Sequence, residues 1–175
     1  TLQVKRSKQS YSGISTLSET SKIDMHIPEG IDVQMESALG DIVTDGLQGK
    51  NIKLNTSLGD ITVSNCSGIL DVYTALGDIS LNDVQGKITG NTDMGDITGE
   101  GVTATAACSL TTSLGDIDVQ LNNSLGDCRL DLSTSLGSVK VDRPELKEKS
   151  HSELKIGTGK LKVIMNTSLG KIKVR

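Results

Sequence analysis

Six aspartates, Asp41, Asp60, Asp78, Asp96, Asp116 and Asp127, each follow a glycine in the same Leu/Met-Gly-Asp setting. If the corners that carry them stack, their carboxylates form a column. Like charges side by side repel, and calcium, which takes several oxygen ligands, would relieve that repulsion. The same residues have a plainer use. An Asp beside a glycine turn can accept hydrogen bonds from the backbone N–H groups of its own turn. Turn capping is the expectation and a calcium ladder the alternative. The Gly-Gly-x-Gly-x-Asp calcium repeat is missing, and Ser138, Lys160 and Lys171 fill the Asp slot in later copies.

Other chemistry finds little support. The histidines are His26 and His151, and neither lies near a recognisable nucleophile motif. Gly157-Thr158-Gly159-Lys160 approaches a phosphate loop but has Leu154 and Leu161 where that loop needs Gly and Ser or Thr. Cys66, Cys108 and Cys128 show no CxxC spacing, so each is expected as a small core residue, with one bridged pair at most. A non-enzymatic chain without cofactor or resident metal is expected.

The elements that hold these aspartates are set by a repeat. Leu-Gly-Asp-Ile and its variants place glycines at Gly40, Gly59, Gly77, Gly95, Gly115, Gly126, Gly137 and Gly170, with a weaker echo at Gly159. Early gaps are 19, 18, 18 and 20 residues; later ones are 11 or 22. Between the early motifs a second turn carries Gly49, Gly68, Gly86 and Gly101. Runs such as Ile61-Thr62-Val63 and Ile117-Asp118-Val119-Gln120-Leu121 alternate apolar and polar residues, so one face is buried and one wet. The reading is an all-β single-stranded β-helix or β-solenoid. Stacked at strand spacing, its layers form a body on the order of 35 Å long. In each corner, Gly allows a bend that a Cβ would oppose, Ile starts the next strand inward, and Leu is expected to anchor the turn in the core.

One solenoid domain is expected over residues 23–175, preceded by an arm over 1–22 and carrying a charged loop near 142–152. Two alternating runs, 23–27 and 31–35, joined by the Pro28-Glu29-Gly30 turn, are expected to cap the first layer. Two tyrosines and no Phe or Trp suit thin stacked layers better than a globule with a bulky centre. A net charge of -4 offers no general field for nucleic acid. Lys171, Lys173 and Arg175 make the last strand a charged edge that discourages further pairing. A line of threonines, Thr56, Thr74, Thr92, Thr112, Thr134 and Thr167, lies three residues before the motif glycines, but it lacks the T-x-T partner of an ice-binding face.

The run from Ile27-Pro28-Glu29-Gly30 through the repeated Gly-Asp-Ile turns, with turns such as Leu47-Gln48-Gly49 between them, resembles the bacterial adhesin-type β-strand-repeat domains, also called toastrack-type domains. Their function is largely unknown. The resemblance implies a β-solenoid in a bacterial cell envelope, often membrane-tethered and in some cases part of envelope-stress systems; here the tether would lie outside this chain. It brings no catalytic residues. The functional expectation is a spacer or binding domain for a protein or cell-surface ligand. A self-assembling scaffold and a calcium-dependent binder are the alternatives.

Overall fold

The computed structural model describes residues 25–124, 126–142 and 152–175. The arm, Ile23, Asp24, Leu125, most of the charged loop and His151 lie outside them. The chain forms parallel β-coils, each made of a long strand, a corner and a short strand. The first four pairs are β1 (Val33–Leu39) with β2 (Ile42–Asp45), β3 (Gln48–Leu58) with β4 (Ile61–Ser64), β5 (Ser67–Leu76) with β6 (Ile79–Asn82), and β7 (Gln85–Met94) with the first part of β8 (Ile97–Leu114). The rest of β8 is the next long strand and leads to β9 (Ile117–Leu121). The last coils are β10 (Cys128–Leu136) with β11 (Val139–Val141), and β13 (Leu161–Leu169) with β14 (Ile172–Val174), separated in sequence by β12 (Glu153–Ile156).

Alternation gives each strand one inward side. Parallel register then turns the inward side into columns running the length of the stack. One column reads Val33, Ile52, Leu70, Ile88, Cys108, Val163 and Leu130. On the short strands the motif residues Ile42, Ile61, Ile79, Ile97, Ile117, Ile172 and Val139 form another, and all are buried. Medium aliphatics fill a core this narrow, so no aromatic ring is needed. Where Gly90 leaves a gap, the Leu110 side chain occupies it. Cys66, Cys108 and Cys128 are buried thiols within this core.

The coils do not stack in chain order. The long strands run β1-β3-β5-β7-β8-β13-β10, followed by the short β12, so the last coil in sequence is inserted between β8 and β10. β14 accordingly pairs with both β9 and β11. The expectation of a charged edge strand at the C-terminus is therefore corrected. Lys173 lies on an internal strand and Arg175 directly follows it, and they reach Asp118 at 3.6 and 2.9 Å. The edge position belongs to β12, which runs antiparallel along β10 and points Glu153 and Lys155 outward. It occupies the place where a following parallel coil would add, which blunts that end against pairing.

At the opposite end the cap is shorter than the alternation suggested. Met25, His26 and Ile27 are not in a strand, and His26 is exposed. The Gly30 amide donates to the Gln48 carbonyl at 2.6 Å, and the Asp32 carboxylate accepts from the Asn51 amide at 3.1 Å. A turn and one side chain, in place of a strand, tie this segment to the first layers.

Candidate functional site: the corner columns

Each corner is held by the coil stacked on it. The amides of Asp60, Asp78, Asp96, Asp116 and Lys171 donate to Oδ1 of Asp41, Asp60, Asp78, Asp96 and Asp116 respectively, at 2.7–2.9 Å. The donor is thus the next coil's amide, not the Asp's own turn, which corrects the expected capping geometry. Each carboxylate ties two layers together, and a charged acceptor makes such a bond stronger than a neutral one.

Asp127 is not in the column. Its carbonyl accepts from the Leu161 amide at 3.0 Å, just ahead of β10 and β13. Gly126 and Gly159 therefore belong to the second turn of their coils, although 124–128 reads like the other motifs. Among the described residues, a Cβ at Gly126 would meet only Ser124 Oγ, at 3.6 Å. The corner glycines stand differently, with φ between 119 and 159° in Gly40, Gly59, Gly77, Gly95, Gly115, Gly170 and Gly137. At Gly95 a Cβ would also overlap the Gly77 carbonyl oxygen of the coil before it. Positive φ and this close approach together require glycine.

That same glycine carbonyl has a buried partner. Thr56, Thr74, Thr92, Thr112, Thr167 and Thr134 donate Oγ1 to the carbonyls of Gly40, Gly59, Gly77, Gly95, Gly115 and Gly170, at 2.9–3.1 Å. All six threonines are buried. A regular threonine line is thus a set of internal fasteners, unavailable as an ice-binding face.

The corner leucines are the largest departure from expectation. They share the inward parity of their strands, yet the chain has turned past the core edge by the time it reaches them. Leu39, Leu58, Leu76, Met94, Leu114, Leu169 and Leu136 are register partners in succession and are all exposed. The inner five expose 38–47% of their surface, while Leu39 and Leu136 at the ends expose 69% and 68%. Six steps at strand spacing make an apolar stripe about 29 Å long. Covering it would contribute about 1 kcal/mol per half-buried side chain. Contiguous exposed apolar surface of this kind marks interaction sites.

The remaining surface offers less. Two recesses of about 290 and 380 Å³ lie near the β12–β13 connection, lined by Arg129, Asp131 and Lys155 in one and Asp127, Thr158 and Lys160 in the other. Both open widely to solvent. Among the described residues no three His, Cys, Asp or Glu side chains converge as a metal set, and no helix is long and apolar enough to cross a membrane. Burial pushes the Cys66 thiol up, and burial, then the nearby Cys128 sulfur, push Cys108 up to about 12.

No curated protein and no solved structure matches the chain. The family model described as Toastrack DUF4097, a family of unknown function, matches residues 4–175 and so takes in most of the segment read as an arm. Stacked parallel strands and repeated glycine corners agree with that match, and the chain belongs to the Toastrack DUF4097 family.

Proposed function

We propose that this chain is a non-enzymatic structural and binding domain of a bacterial cell envelope, a rigid spacer that offers its corner columns to a partner in adhesion or stress sensing. The observation that carries the binding part is the exposed leucine column. Seven apolar side chains held in line by the corner hydrogen bonds leave 38–69% of their surface in solvent, outside the buried core. Rigidity follows from the ladder of interlayer bonds, since each coil is fastened to the next at its corner as well as through its strands. The envelope setting rests on the likeness to adhesin-type domains.

The test is fractionation of bacteria expressing the full-length gene product with an epitope tag on this domain, followed by protease treatment of intact cells. The domain is expected in the envelope fraction. Recovery only from the cytosol, protected until lysis, contradicts the envelope part. A catalytic turnover that tracks the purified domain and disappears on substitution of a recess residue contradicts the non-enzymatic part.

A further inference from the structure

We infer that the leucine column is an interface for a second copy of this chain, the two solenoids lying side by side with their corner columns in contact. This rests on the column being a binding surface and does not depend on where in the cell the protein resides.

Rung spacing selects the partner. The column repeats at the strand spacing of about 4.8 Å. A helix laid along it presents side chains once per turn, about every 5.4 Å. It drifts by about 0.6 Å per rung and is more than 3 Å out of step by the far end. A single extended strand presents one face about every 6.7 Å, which fits worse. Another stack of parallel strands repeats at the same interval, and an identical chain has the same number of rungs. Each Leu can then seat against or between the partner's across the whole stripe.

Chemistry along the seam agrees. The column itself carries no charge, and the residue before each Leu is small in six coils of seven, being Ala or Ser, with Asp93 as the exception. Small flanks let two columns approach. Two residues past the column stand Asp41, Asp60, Asp78, Asp96 and Asp116, with Lys171 and Ser138 in that slot in the last two coils; they are on the rim, where solvent screens the charges. A stripe about 29 Å long is narrow beside the roughly 800 Å² per partner of a standard interface, which places the pairing among reversible, concentration-dependent associations.

The central rung decides the test. Met94 is fourth of seven in the column, so a two-fold axis through its middle brings Met94 against Met94 whether the solenoids run parallel or antiparallel. Sedimentation of the whole chain over a concentration series is expected to show a reversible monomer–dimer equilibrium. Leu76→Glu/Leu114→Glu is expected to remain monomeric throughout, with its circular dichroism spectrum retained because both side chains are at the surface. Under mild oxidation, Met94→Cys is expected to form a covalent dimer at least tenfold faster than Val43→Cys, an exposed site on β2 away from the column. The native thiols are buried and give little background. A single monomeric species across the series, or equal cross-linking of the two cysteine variants, overturns the inference.

Discussion

The Lys171 amide donates to Asp116 Oδ1 at 2.7 Å, across 55 residues of sequence. This contact marks where the chain leaves the simple order of a solenoid. The last coil slots in beside β9, and the earlier coil of β10 and β11 is moved to the outside. Until the last coil arrives, β10 has no parallel neighbour, so these segments complete the stack together. The same contact shows how the corner column works: an Asp in one layer holds the backbone of the next, whatever residue stands there.

Asp116→Ala should therefore strand the Lys171 amide and lower stability by about 1 kcal/mol. Asp116→Asn keeps an acceptor oxygen and should cost less. Asp127→Ala, outside the column, should stay within about 0.5 kcal/mol of the parent. Urea denaturation midpoints of the three variants check the order.

Thr92→Val keeps the side-chain shape and leaves the Gly77 carbonyl without its hydroxyl donor, which lies 3.0 Å away. The expected loss is about 1 kcal/mol, because the carbonyl left behind is part-buried. Thr98→Val, at an exposed position on β8 where the hydroxyl meets Ser80 Oγ at 3.2 Å in reach of solvent, is the control and should change little. Equal losses would mean the hydroxyl of Thr92 is not a fastener.

Two glycines from near-identical motifs should respond in opposite ways. Gly95→Ala forces a Cβ onto the Gly77 carbonyl at positive φ, and about 2–4 kcal/mol is expected from strain and displacement together. Gly126→Ala makes, among the described residues, only an ordinary van der Waals contact with Ser124 and should be close to neutral. Thermal unfolding of both variants suffices to compare them.

Cys108 gives a pH signature. Its thiol titrates at about 12 in the folded chain against 9.0 for the ordinary value. Above pH 9 the unfolded chain sheds this proton while the folded chain retains it, so deprotonation favours unfolding. The stabilising contribution is full below pH 9 and is lost as pH rises towards 12. Melting temperature should fall less steeply over that window in Cys108→Ala than in the parent, although the variant starts lower because of the cavity. Parallel declines would remove the Cys108 contribution.

Much of the architecture was legible in the residues. Corner glycines at intervals of 18–20, with alternating strands between them, allow little besides a stack of similar coils. Three features were hidden for physical reasons. Parity assigns Leu58 or Leu114 to the inner side, but parity cannot say where the core ends and the corner begins. The sequence around Gly126 matches a corner, yet its position 11 residues before Gly137 resembles the second-turn spacing of Gly49 before Gly59, and that offset was the available signal. The order of the last coils leaves no local trace, since parallel pairing is set by columns of similar residues that any coil could join. The threonine line was visible as a pattern, but its use depends on a carbonyl from another layer.

The outward leucine column is the claim on which the binding proposal stands, and Leu110 and Leu114 test it most directly. They lie four residues apart on β8 at the same parity, one fully buried and the other 43% exposed. Equilibrium unfolding of Leu110→Ala and Leu114→Ala, at dilution where the chain is monomeric, should show a loss of about 2–5 kcal/mol for the first. For the second the loss should stay below about 1 kcal/mol. Equal large losses would put the corner leucines in the core and contradict the account.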